Sequence, residues 1–145
     1  MATIVSLTQE EAASSGYTHK VIVKAADIAA LTSGTAYSLY PGYAGSTTNT
    51  NLLVKGCDVF IKTAFSGTGT LVAVIGDGTT ANAYCVSTTW KTAGWIAGAL
   101  TTSAVPAGDI IKFTPTAGTD ITTFTAGEAH IFLTIVDGDT LAKAG

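Results

Sequence analysis

The sequence predicts an all-β domain, a two-sheet β-sandwich of jelly-roll-like form, and three observations carry that prediction. Charged residues make up 12% of the chain, against about 25% in an average soluble domain, and Thr, Ser and Gly fill the deficit. Thr favours strands, while Gly with Asn and Asp favours the turns between them. About eight short apolar or alternating runs follow one another, and no helical pattern is long enough for a βαβ crossover. Finally, residues 71–75 (LVAVI) include no polar residue. A half-exposed antiparallel strand alternates apolar with polar, so this unbroken run implies cover on both faces, the second supplied by other copies or a larger assembly.

At 145 residues the chain is long enough for one real core and too short for two ordinary ones. Residues 1–16 read as an N-terminal arm and residues 17–145 as the sandwich. Within the arm, Thr8 followed by Glu11 fits a capping box, but the Ala-Ala-Ser-Ser-Gly behind it offers no apolar stripe. One or two helical turns are expected, ordered by packing on a neighbour.

Residues 17–25 (YTHKVIVKA) alternate, with Tyr17, His19, Val21 and Val23 on one face and Thr18, Lys20, Ile22 and Lys24 on the other. Asp27 is expected to cap a short helical turn over residues 28–31, closed by Ser33-Gly34. A strand over residues 35–39 ends at Tyr40-Pro41-Gly42, and residues 43–51 form a polar loop. Gly56 marks a bend or bulge before residues 57–65, where Val59, Ile61 and Phe65 oppose Asp58, Phe60 and Lys62. Residues 66–69 make a hairpin connection into the apolar strand over residues 70–75. After the turn Gly76-Asp77-Gly78 comes a strand over residues 83–88. Residues 90–100 obey neither period, so an irregular segment is expected, anchored by Trp90 and Trp95. Pro106-Ala107-Gly108 introduces a strand over residues 109–114, residues 119–124 read as a further short strand, and residues 129–136 as the last, with Ile131, Leu133 and Ile135 opposing Phe132 and Thr134.

Formal net charge is -3, and all seven basic residues are Lys. They are dispersed and lack the bidentate guanidinium that grips phosphate, so direct nucleic-acid binding is not expected. The lysines read as blunting agents on exposed strands. The N-terminus shows neither a basic n-region nor an apolar h-region, and no apolar run approaches a membrane span. Neither a cleaved export signal nor a membrane partner is expected. Cys57 and Cys85, the only cysteines, sit among apolar strand residues and read as buried free thiols.

Candidate chemistry is sparse. His19 and His130 lack ligand spacing and read as packing or hydrogen-bonding residues. Gly76-Asp77-Gly78 and Asp137-Gly138-Asp139 resemble fragments of calcium loops but lack the further oxygen ligands and a closing Glu, so they read as turns. No nucleophile elbow is present, and neither an enzymatic activity nor a cofactor is expected. Tyr40 and Tyr43, with Trp90 and Trp95, could stack on a saccharide. The competing reading is that such rings seal the sandwich or a subunit contact.

Taken in order, the turn ending at Leu31-Thr32, Thr63-Ala64-Phe65-Ser66-Gly67, the strand over residues 71–75, Gly76-Asp77-Gly78, Ala83-Tyr84 and Phe124-Thr125-Ala126-Gly127 before the final strand resemble small structural proteins of tailed bacteriophages, the head decoration or cement proteins and the bases of head fibres. The likeness runs over about residues 17–136. It implies a jelly-roll-like subunit, commonly a homotrimer, seated on the outer surface of a virion at joints between major capsid subunits, and no catalytic residue. Val72, Val74, Trp90, Trp95 and Phe132 are then the expected interface residues. A carbohydrate-binding module of a fibre or tail is the alternative.

Overall fold

The computed structural model describes residues 3–40, 52–100 and 111–137. The polar loop expected over residues 43–51, Tyr43, Pro106-Ala107-Gly108 and Gly138-Asp139 lie outside them. Among the described residues nine strands form two antiparallel sheets. They are β1 (Thr3–Ser6), β2 (His19–Lys24), β3 (Tyr37–Tyr40), β4 (Leu52–Ser66), β5 (Leu71–Gly76), β6 (Cys85–Thr89), β7 (Gly94–Ile96), β8 (Ile111–Ala117) and β9 (Ala126–Asp137). Sheet A runs β1-β2-β9-β4-β7 and sheet B runs β3-β8-β5-β6. Apart from β1, the antiparallel pairs nest: β5 with β6, β4 with β7, β3 with β8 and β2 with β9. Ladders β4–β9 and β5–β8 join them into the two sheets.

Inward residues from both sheets make one core. Val21, Val59, Ile61, Ile131 and Leu133 of sheet A face Leu71, Ile75, Ile111 and Phe113 of sheet B, all buried. Trp90 links the two layers. Its ring stacks on Phe113 of β8 at 5.2 Å and packs against Phe65 of β4 at 5.6 Å. A short helix α2 (Ala25–Ala29) contributes Ala25 and Ile28 to the same core.

Several expectations meet their elements. The apolar strand β5, the alternation of β4 and β9, and a register shift between Val54 and Gly56 are all present. Residues 66–69 do not make the expected hairpin: β4 pairs with β7 and β9 in sheet A while β5 pairs with β6 and β8 in sheet B, so the connection carries the chain from one sheet to the other. The capping box is made by the Glu11 N–H donating to Thr8 Oγ1 at 3.2 Å and the Thr8 N–H donating to Glu11 Oε1 at 3.1 Å, and it starts helix α1 (Gln9–Ser15). Gly16, at φ 79°, ends that helix, in the left-handed conformation glycine adopts without strain.

Other elements differ. The segment expected to find order on a neighbour finds it at home, because β1 pairs with β2, from Thr3 opposite Ile22 to Ser6 opposite His19. Asp27 is not the N-cap of α2 but stands in its first turn, where Oδ2 accepts from the Lys24 N–H at 2.8 Å. Residues 119–124 do not form a strand. Asp120 captures the Thr122 N–H at 2.9 Å and closes a 3-10 turn, Ile121–Thr123, that sends Ile121 into the core. Short polar side chains compete with the sheet for backbone partners in this way. Within residues 90–100, expected to be irregular, Gly94–Ile96 pairs with β4 as β7.

Candidate functional site

Outward residues of sheet A bring aromatic rings together. Register places Phe60 opposite both His130 and Trp95, and Phe132 opposite Asp58. Residues directly opposite in an antiparallel pair share a face, so β7, β4 and β9 lay Trp95, Phe60, His130 and Phe132 on the surface turned away from the core. The rings touch in sequence: Phe60–Trp95 at 5.0 Å, Trp95–Phe132 at 5.6 Å, His130–Phe132 at 6.2 Å and Tyr17–Phe132 at 5.1 Å. Trp95 is 61% exposed.

Tyr17 departs from its expected place on the Val21 face. Strand β2 begins only at His19, and the Tyr17 hydroxyl donates to Asp58 Oδ2 at 2.6 Å, drawing its ring onto Phe132. Asp58 also accepts from the Gly98 N–H at 2.8 Å through Oδ1, so one carboxylate ties the start of β2 and the segment after β7 to β4. The hydrogen bond to Asp58, then burial, push the Tyr17 hydroxyl up to about 12. Between pH 10.0, the ordinary value, and about 12, the unfolded chain releases this proton while the folded chain keeps it. That contribution to stability is complete below the window and is lost as pH rises through it. Tyr17→Phe is expected to remove this part of the alkaline decline, read from urea midpoints as a function of pH.

At one side of the rings lies a charged cluster. His130 Nε2 donates to Glu128 Oε2 at 2.8 Å, and Lys62 Nζ lies 3.4 Å from the same oxygen. A carboxylate only accepts, so Nε2 is the protonated ring nitrogen. The hydrogen bond from His130 holds the Glu128 carboxyl below its usual range, with the Lys62 charge assisting.

The outward face of sheet B is of another kind. Val72 and Val74 alternate with the buried Leu71, Ala73 and Ile75 and are themselves half-buried. They stand opposite Thr116 and Thr114 of β8, and Val72 also opposite Thr89 of β6. The unbroken apolar run of β5 thus has one face in the core and the other in a field of Val and Thr.

Of the residues expected at an interface, Val72, Val74, Trp95 and Phe132 are outward, on two opposite faces. Trp90 is not available: at 1% exposure it belongs to the chain's own core, and it drops out of both the interface and the saccharide expectations. The side chain of Tyr40 and the whole of Tyr43 lie outside the described residues. Phe60 was legible as an outward residue of an alternating strand, but Tyr17 carried no signal for its position.

Other candidate groups are spent structurally. Asp77 is buried and accepts from the N–H groups of Thr79 at 2.8 Å and Thr80 at 2.7 Å and from the Tyr84 hydroxyl at 3.3 Å, which closes the turn after β5. His19 is half-buried, with Nδ1 at 2.8 Å from Thr18 Oγ1. Cys57 and Cys85 are buried free thiols, and burial pushes both up. Among the described residues no group of three or more His, Cys, Asp and Glu could hold a metal ion, and no helix is long and apolar enough to cross a membrane. Compared with known proteins, the chain matches no family model, no curated protein and no solved structure.

Proposed function

We propose that this chain is a structural component of a virion, a jelly-roll subunit that decorates the outer surface of a bacteriophage head and stabilises it by docking on the major capsid protein as a homotrimer. The observation that carries the reading is the Val72, Val74, Thr114 and Thr116 field on sheet B. It is half-apolar and uncharged along those positions, a surface suited to contact with another protein rather than to chemistry. The nested strand pairs support the jelly-roll part of the reading. One long antiparallel ribbon, with β5–β6 at its tip and β2–β9 at its base, folds over to give two interlocked Greek keys. The resemblance of the turns and core residues between 17 and 136 supports the phage part.

A specific contact buries about 800 Å² per partner, and repeated identical joints on a shell add avidity as the copies of a trimer engage together. Purified protein is expected to bind undecorated heads to saturation, with loss of that binding in the pair Val72→Lys and Val74→Lys. Heads that take up none under conditions where virions retain the protein would contradict the decoration role.

A further inference from the structure

We infer that the outward face of sheet A is a carbohydrate-binding platform for a neutral pyranose polysaccharide, floored by Trp95, Phe60 and Phe132 and edged by Lys62, Glu128 and His130. This site is distinct from the Val and Thr field of sheet B and does not depend on the decoration reading.

A pyranose ring offers a C–H face and a rim of hydroxyls. The C–H face needs a rigid apolar surface that loses little entropy on binding, which aromatic rings supply. Here the rings rise from strands rather than loops and buttress one another at 5.0 Å and 5.6 Å, and Trp95 is largely open to solvent. Each hydroxyl both donates and accepts, so the edge of such a site must do both. Lys62 donates and the Glu128 carboxylate accepts, and the two are held with His130 at one side of the rings, within reach of a ligand lying on them.

Charge selects among occupants. Lys20, Lys24 and Lys62 share this face with Asp58 and Glu128, with Lys62 paired to Glu128, so the mixed charges leave one net positive charge, too little to select a polyanion. A second copy of the chain covering the face would have to bury the Lys62, Glu128 and His130 cluster, which costs desolvation of its charges. A hydroxylated ligand instead bonds to that cluster while leaving it wet at the rim.

The test titrates the purified chain with soluble neutral polysaccharides (β-glucan, xylan, mannan and dextran) by calorimetry and tryptophan fluorescence. Polygalacturonate and a single-stranded oligonucleotide serve as charged arms, and sedimentation is run in parallel. Saturable binding to at least one neutral polysaccharide, insensitive to salt, is expected. Trp95→Ala should weaken it about tenfold or more, and Trp95→Phe should keep most of it, both with the melting temperature of the parent. Three results would overturn the proposal: binding to none of the neutral arms, binding confined to the charged arms and abolished by salt, or neutral binding that survives Trp95→Ala unchanged. If Trp95→Ala leaves saccharide binding alone and instead dissociates an oligomer, the face belongs to a second copy and the proposal also fails.

Discussion

Replacing Trp90 with Ala is expected to cost about 3–5 kcal/mol of stability, the range for deleting a fully buried large aromatic. Trp90 sits 1% exposed between the layers, stacked on Phe113 of sheet B and packed against Phe65 of sheet A. Its backbone repeats the link, with the N–H donating to the Leu71 carbonyl at 2.9 Å and the carbonyl accepting from the Phe65 N–H at 3.1 Å. Truncation therefore leaves a cavity bounded by strands of both sheets, which the ladders hold apart and which cannot close around it. In a chain of this size a loss of that order lowers the melting temperature by about 10 °C. Urea unfolding should show the midpoint falling with little change in slope. Trp90→Phe, which keeps a ring between Phe65 and Phe113, should cost distinctly less. A loss under about 1 kcal/mol for the Ala variant would mean that the ring is not the tie between layers.

The second large effect is expected at Gly98, where Ala should cost about 3 kcal/mol or more or abolish folding. A Cβ there would lie far inside van der Waals contact distance of the Cys57 carbonyl oxygen and 2.7 Å from the Tyr84 carbonyl oxygen. Both obstacles are backbone and cannot swing aside like a flexible side chain. Moving the segment outward would also break the hydrogen bond from the Gly98 N–H to Asp58, which loosens the Tyr17 clip on the same carboxylate. Gly94 makes the informative comparison. It has φ 126° and nothing within 4 Å of an added Cβ, so Gly94→Ala carries only conformational strain, about 1–3 kcal/mol. Thermal unfolding of the two variants separates steric exclusion from backbone strain. Equal losses would show that the approach to Cys57 and Tyr84 is not as close as described.

Much of the sheet pattern was legible because alternation reports directly on which side a residue faces. Val59 and Ile61 against Asp58 and Phe60, and Ile131 and Leu133 against Phe132, divide inward from outward as periodicity predicts. The same logic sufficed to read Phe60 and Phe132 as neighbours on one surface once β4 and β9 were known to pair. That pairing was not legible. Strands rich in Val, Ile and Thr carry no label for their partner, and of the shifts that set the register here Gly56 signals the one at Val54/Gly56, while those at Ile61/Thr63 and Thr63/Ser66 have no local signal. Trp90 and Trp95 are near neighbours in sequence and looked equivalent, yet one fills the core and the other lies open. The difference comes from β7, only three residues long and entered at a positive-φ Gly94, too short for a period to be recognised. Residues 119–124 failed for a local reason: the Asp120 side chain outcompeted the sheet for the Thr122 N–H.

The proposed function depends on association through the outward field of sheet B, and sedimentation of the purified chain tests that most directly. The wild-type protein is expected to sediment as a trimer, and the pair Val72→Lys and Val74→Lys as a folded monomer with unchanged circular dichroism. A wild-type chain that stays monomeric at high concentration, or a double variant that still forms the trimer, would contradict it.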